Sequence, residues 1–153
     1  MLQRLLLSVS LIAACTASAS AQERQWSLDA SDQDAYLIFG VPESDDVGIS
    51  LWCTVQKGEI NIFLPEGDPA EKPGKDVTLT LTAGEVSADF KGKTEVNEEA
   101  GTTSVEAKAP DTLPIFAAML KADRLHVKTG SADDVFPLID ADLQGLFAVC
   151  HKP

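Results

Sequence analysis

The strongest constraint on the fold is an alternation of apolar and polar residues with a period of two, which dominates the chain after residue 34. Residues 47–55 carry an apolar side chain at every second position, and residues 60–64 and 77–81 repeat the pattern. Successive side chains of a β-strand point to opposite faces of the sheet. The alternation therefore predicts half-buried strands and a β-rich fold.

Glycines mark the predicted turns between these strands. Gly58 lies in a hairpin that follows residues 47–55, at a position that needs a positive φ. Farther along, Gly84, Gly92 and Gly101 each follow a short alternating segment, and each is predicted to reverse the chain. The expected result is an antiparallel meander of four short strands.

Near the C-terminus the period changes to that of a helix. Residues 143–150 place apolar side chains at the spacing of a single helical stripe, and this stripe includes the last cysteine. A second short helix is predicted to contain residues 115–120, with Asp111 or Thr112 as its cap and Pro114 in its first turn. The predicted fold class is α+β and β-rich: an antiparallel sandwich or partly open barrel of about seven to nine strands with two short C-terminal helices.

The N-terminal residues 1–21 have the features of a signal peptide. Arg4 supplies a positive charge, residues 5–14 form an apolar stretch too short to span a bilayer, and residues 19–21 form a small-x-small cleavage signature. Cleavage would leave residues 22–153 as a single disulfide-linked β-rich domain. The predicted location is periplasmic or secreted.

An alternative interpretation of the same segment is a lipoprotein signal. Residues 12–15 end in Cys15 and are similar to a lipobox, in which the cysteine is acylated and becomes the first mature residue. The protein would then be anchored to the envelope by lipid through Cys15. Contact with a membrane is predicted only in that case.

Cys53 and Cys150 are the remaining cysteines, and in an oxidising compartment they are predicted to form a disulfide. The alternation of its strand turns Cys53 toward the core, and the helical stripe turns Cys150 toward the same core. Two independent periodicities therefore place both sulfurs on buried faces.

The charge of the chain limits its partners. It has 24 acidic and 12 basic residues and a formal net charge of −12. Proteins that bind nucleic acid or adsorb electrostatically to anionic lipid need basic patches, so the charge argues against both classes of partner. The expected partner is a protein or a small neutral or cationic ligand. No cofactor and no metal are predicted.

Catalytic motifs are absent from the sequence. His126 and His151 are the only histidines, and neither belongs to a nucleophile elbow or a zinc-protease motif. The acidic groups are interpreted as solvated turn and cap residues rather than as calcium ligands. These groups are Asp29, Asp32, Asp34, Asp133, Asp134, Asp140 and Asp142. We expect the protein not to be an enzyme.

Three aromatic residues are candidates for a binding surface. Trp52 is predicted to face away from Cys53, so it is either exposed to a ligand or covered by the N-terminal segment that carries Trp26; coverage is the expectation. Tyr36 is the third candidate. Together these rings could stack on a small molecule or a sugar.

The loop with Ser44, Asp45 and Asp46 is the most distinctive loop of the sequence. We expect Ser44 and Asp45 to hold a turn between two strands by bonding nearby backbone amides, and a binding role is the alternative. Residues 36–53, read as aromatic-x-x-x-Gly-x-Pro-x-Ser-Asp-Asp and then a strand ending in Trp-Cys, resemble a segment of small uncharacterised exported proteins of Gram-negative bacteria. The resemblance implies an exported, disulfide-linked β domain and no particular activity.

The predicted function is a non-enzymatic binding or interaction module of the bacterial envelope. One alternative is an acidic inhibitor of a cationic cell-wall hydrolase, since negative charge would steer association with a basic enzyme. Another alternative is a carrier of a small molecule or sugar.

Overall fold

The computed structural model describes residues 23–98 and 101–153, so the predicted signal peptide and Cys15 lie outside the described residues. The described chain forms nine strands and two helices. In chain order these are β1 (Gln25–Ala30), β2 (Asp34–Gly40), β3 (Val47–Thr54), β4 (Glu59–Leu64), β5 (Asp76–Ala83), β6 (Val86–Asn97), β7 (Thr102–Pro110), α1 (Pro114–Met119), β8 (Arg124–Thr129), β9 (Ala132–Pro137) and α2 (Leu143–Cys150).

All nine of these strands belong to one antiparallel sheet with the order β1-β2-β3-β4-β7-β6-β5-β8-β9. The sheet curls into a half-barrel, with β1 and β9 as its edges. This is the β-rich antiparallel architecture that the alternation predicts, in its partly open barrel form. Most neighbouring strands are also consecutive in sequence, whereas the pairing of β4 with β7 places the β5–β6 hairpin beyond β7.

Gly92 does not reverse the chain, so the prediction of a turn there is wrong. It lies inside β6, which runs without interruption from Val86 to Asn97. A Cβ atom at Gly92 would lie 3.0 Å from the carbonyl oxygen of Glu106 on β7. The position needs glycine because a neighbouring backbone approaches closely, not because the chain turns. Gly84 and Gly101 do lie in turns, with φ of 58° and 66°.

The core fills the concave side of the sheet. Inward residues of the strands are buried, among them Leu51, Ile62 and Leu81. The helix α2 packs against β1, β2 and β3, and α1 packs against β5 and β6. The rings of Phe116 and Phe147 meet edge to face at 5.5 Å, so the two helices close the concave side together.

The caps of the two helices differ from each other. The residue before α1 is Leu113, without a side-chain cap, so neither Asp111 nor Thr112 plays the predicted capping role. Pro114 stands in the first turn, where its missing N–H costs no helical hydrogen bond. Asp142 caps α2 by accepting a hydrogen bond from the amide of Gly145 at 2.9 Å.

The C-terminus is tied to the hairpin between β3 and β4. Cys53 and Cys150 are fully buried and form a disulfide between residues that are 97 apart in sequence, with Cα atoms 5.7 Å apart. The amide of Gln56 donates to the carbonyl of Val149 at 3.0 Å, and that of Gly58 donates to the carbonyl of Cys150 at 2.9 Å. These bonds satisfy carbonyls at the end of α2 that have no partner within the helix.

The disulfide is compatible with a periplasmic or secreted protein. Within the described ranges, none of the helices has the length and the apolar character needed to cross a membrane.

Candidate functional site

Tyr36 and Trp52 lie side by side on the convex side of the sheet. They are direct partners in the antiparallel register of β2 and β3, and their rings are nearly parallel, with centroids 5.6 Å apart and planes inclined by 18°. Their neighbours Leu37, Leu51 and Cys53 point into the core. The strand alternation therefore directs both rings outward.

Two further apolar side chains extend this pair. Ile38 and Phe63 are half-buried outward residues of β2 and β4, and both are register partners of Ser50 on β3. Below we call Tyr36, Ile38, Trp52 and Phe63 the aromatic face. Tyr36 is its most exposed member, with 38% of its surface accessible.

The aromatic face has no cover within the described part of the chain, because both helices pack on the opposite, concave side. Its backbone is held by a hydrogen bond from Asn61 Nδ2 to the carbonyl oxygen of Trp52 at 3.3 Å. Ser50, in the middle of the face, is only 7% exposed because large side chains surround it. Partly exposed aromatic rings on a rigid sheet form a preorganised surface for contact with a partner.

Carboxylates border the aromatic face on both sides. Asp29 on β1 is the register partner of Tyr36, and Glu59 lies two residues before Asn61 on β4. Asp34 lies two residues before Tyr36, and its Oδ1 accepts a hydrogen bond from Thr54 Oγ1 at 3.0 Å. The sequence between Arg24 and Lys57 contains no lysine, arginine or histidine. β1 to β4 carry no basic residue, and Lys108 on β7 is the register partner of Asn61.

Trp26 does not cover Trp52, so that expectation is wrong. Trp26 packs with the core on the concave side, with its ring 5.2 Å from that of Phe39, and its Nε1 donates a hydrogen bond to the carbonyl oxygen of Pro137. Phe39 in turn meets Phe136 of β9 at 5.8 Å. Trp26 therefore helps to join the two edges of the half-barrel, on the opposite side of the sheet from Trp52.

The loop between β2 and β3 is organised by its own polar groups. Ser44 Oγ donates to the carbonyl of Val41 at 2.9 Å and accepts from the amide of Asp46 at 3.1 Å, which is the turn role expected for Ser44. The Asp46 carboxylate instead pairs with Arg24, whose Nε lies 2.9 Å from Oδ1. The carbonyl of Asp45 accepts from the amide of Val47, and no side-chain hydrogen bond of Asp45 is found within the described part of the chain.

This loop is separate from the aromatic face. It follows the end of β2, four residues beyond Tyr36, which corresponds to about 13 Å along an extended strand. The six residues considered from the sequence as a binding surface thus divide among three places. Only Tyr36 and Trp52 are brought together.

The acidic clusters show no arrangement for a metal. Among the described residues, no group of three or more His, Cys, Asp or Glu is placed to hold a metal ion. Asp142 is a helix cap, in line with its interpretation, whereas Asp34 is the first residue of β2 and accepts a hydrogen bond from Thr54 of β3. Of the two histidines, His126 is exposed on β8, and His151 Nδ1 lies 2.8 Å from Asp111 Oδ2.

Asp68 anchors the long loop between β4 and β5. Its carboxylate accepts hydrogen bonds from the amide of Ser131 at 2.6 Å, the amide of Ala70 at 2.8 Å and the hydroxyl of Ser131 at 2.7 Å. The backbone bond from Ser131, followed by that from Ala70, lowers the pKa of Asp68 below its usual range. This buried carboxylate is a structural group that is satisfied by the fold.

Asp134 on β9 has the opposite shift. Partial burial raises its pKa above the usual aspartate value, and the nearby charges of Asp133 and Glu66 raise it further, while Arg24 acts in the opposite direction. Burial and the two neighbouring carboxylates therefore outweigh Arg24 in their effect on the pKa of Asp134.

Sequence reasoning missed Ile38 and Phe63 as members of the aromatic face. Both are large apolar residues at positions that alternate with core residues, as Trp52 is. An outward apolar residue on each of several neighbouring strands is the signal that could have identified them, but it requires the strand order.

Comparison with models of protein families, with curated proteins and with solved structures gave no match for this chain.

Proposed function

We propose that the protein is an exported, non-enzymatic binding module of the bacterial envelope, and that it binds its partner through the aromatic face. The observation that carries this proposal is the near-parallel pair of Tyr36 and Trp52, flanked by Ile38 and Phe63 on the uncovered side of the sheet. A contiguous apolar surface on a soluble domain is a common mark of a contact site. Aromatic residues are enriched at the centres of such sites.

Export is part of the same proposal. The features of residues 1–21 and the disulfide between Cys53 and Cys150 both support a periplasmic or secreted location. Mass spectrometry of the mature N-terminus distinguishes cleavage after Ala21 from a diacylglyceryl group on Cys15. Only the second result would place the domain on a membrane.

Variants of the aromatic face test the proposal. The full chain, expressed in its native compartment with a photo-crosslinking residue beside the face, is compared with Tyr36→Ala and Phe63→Ala variants. Val135→Ala is a matched control, because Val135 is 48% exposed on the convex side of β9, at the far edge of the sheet. A specific crosslinked species that both aromatic-face variants lose and the control retains supports the proposal. Equal crosslinking by all four proteins contradicts it.

A carrier of a neutral sugar is the second candidate function. The near-parallel rings of Tyr36 and Trp52 favour it, because sugar rings stack on aromatic faces. Titration with neutral oligosaccharides, followed by calorimetry, separates the candidates. Saturable heat that Tyr36→Ala removes would favour the carrier, and the absence of heat with every neutral glycan would count against it.

A further inference from the structure

We infer that the partner of the aromatic face is a basic polypeptide segment, whose arginine or lysine side chains rest on the Tyr36–Trp52 pair. This inference rests on the proposed function and specifies the chemistry of the partner. It depends on where the carboxylates of Asp29, Asp34 and Glu59 lie relative to the two rings, and the strand register fixes those positions.

The register places a carboxylate directly beside Tyr36. Asp29, Tyr36 and Trp52 follow one another across β1, β2 and β3 as direct register partners. Directly opposed residues have Cβ atoms about 4.5–5.5 Å apart. A cation within about 6 Å of a ring centroid gains from the ring quadrupole. A guanidinium over Tyr36 would therefore also lie within ion-pairing range of Asp29.

The carboxylates of Asp34 and Glu59 add further negative charge near the two rings. Asp34 is held on the convex side by its hydrogen bond with Thr54, and Glu59 is exposed beside Asn61, the register partner of Trp52. Asp29 and Glu59 form no ion pair within the described part of the chain, so both are available to a partner.

The two halves of the convex side differ in charge. Exposed outward positions of β5 to β8 mix both signs of charge, with Lys91, Lys93, Lys108 and Lys128 among Asp76, Asp89, Glu95 and Glu106. The aromatic half has three bordering carboxylates and no base on β1 to β4, and Lys108, the register partner of Asn61, lies on the far side of β4 from Trp52. A partner with acidic side chains would be repelled from the aromatic half, and a basic segment is the complementary choice. The apolar residues Ile38 and Phe63 can receive the methylene stems of its arginine or lysine side chains.

The experiment measures binding of a labelled peptide of alternating arginine and glycine to the full chain by fluorescence anisotropy. Two companion peptides replace arginine by lysine or by glutamate. We expect the arginine and lysine peptides to bind with an affinity that falls as salt increases, and the glutamate peptide not to bind. Binding of all three peptides alike would overturn the inference.

Variants then separate a local site from general attraction to an acidic protein. Asp29→Asn with Glu59→Gln removes two negative charges beside the rings and is expected to weaken binding by about three- to tenfold. The matched control is Asp76→Asn with Glu95→Gln, which removes the same charge from exposed positions on β5 and β6. Equal weakening by both pairs would overturn the inference, because net charge alone would then explain binding.

The rings are tested with Trp52→Ala and with Tyr36→Ala, each expected to weaken binding by about tenfold. Tyr36 lies at the more exposed end of the pair, so its variant keeps the test valid if Trp52→Ala lowers stability.

Suppose that the crosslinked partner depends on the aromatic face while no basic peptide binds. The inference then fails and the proposed function stands. If the peptide binds but the crosslinked partner ignores the face, the proposed function fails.

Discussion

Reduction of the Cys53–Cys150 disulfide is expected to destabilise the domain strongly. The bond joins residues 97 apart in sequence, so in the unfolded chain it closes a loop that includes most of the domain. The chain-entropy relation assigns about 4.7 kcal/mol of stabilisation to a loop of that length. A single domain has a net stability of about 5–15 kcal/mol, so the loss is a large fraction of the total.

The same magnitude can be expressed as a melting temperature. For a domain of this size the unfolding entropy is roughly 0.3 kcal/mol per kelvin, so the loss corresponds to a fall on the order of 15 °C. The hydrogen bonds from the amides of Gln56 and Gly58 to the carbonyls of Val149 and Cys150 do not involve the sulfurs, so the reduced protein keeps them as long as it is folded.

The assay is thermal unfolding followed by circular dichroism, with and without dithiothreitol. The control is the double variant Cys53→Ala with Cys150→Ala, whose melting temperature should not respond to the reductant. Alkylation of the unreduced native protein should label neither cysteine. A reduced protein that melts within about 3 °C of the oxidised one would refute the loop-entropy reasoning.

Three further predictions concern other contacts. Gly130→Ala should destabilise the fold by about 2–3 kcal/mol, since the φ of Gly130 is +55° and the new Cβ would overlap the Asp68 carboxylate. Gly74→Ala is the control: its φ is +77° with open space around it, so it should cost only about 1 kcal/mol. Equal losses of stability in urea unfolding would contradict the steric argument. Asp134→Asn should raise stability slightly at neutral pH, because the raised pKa of Asp134 means that its charge destabilises the fold and solvent screens most of that effect. The gain should vanish below pH 3.8, where the carboxyl is protonated in both the folded and the unfolded state, and a gain that persisted there would exclude this cause. The pKa of Asp68 is lowered in the folded protein, so the stabilisation by its charge is complete above the ordinary pKa of 3.8 and is lost as the pH falls through the lower pKa of the folded state. Asp68→Asn should therefore flatten the acid side of the curve of stability against pH. Unchanged curvature would contradict this prediction.

The elements with strong local periodicity could be predicted from the sequence. The alternation identified β3 and β4 and the hairpin between them, where Gly58 has the expected positive φ of 71°. The disulfide also follows from local patterns, because a strand period and a helix period separately turn Cys53 and Cys150 inward. Local geometry decides which face a side chain occupies, so such features need no knowledge of the tertiary structure.

Features that depend on contacts between distant segments were missed. Gly92 resembles a turn residue in sequence, but the position needs glycine because the β7 backbone approaches it closely. The neighbouring sequence gives no sign of that approach. Trp26 could not be assigned to the concave side before β1 was known to be the edge strand that nears β9. The extension of the aromatic face across β2, β3 and β4 likewise required the register.

The position of α2 after the strands of the described chain has a consequence for folding. The strands β1, β2 and β3 precede α2 in the sequence, so they are synthesised before the helix that covers their inner side. A chain truncated before Leu143 would expose the apolar core residues that α2 covers and would leave Cys53 without its disulfide partner. Such a chain is expected to aggregate or to be digested faster than the full chain.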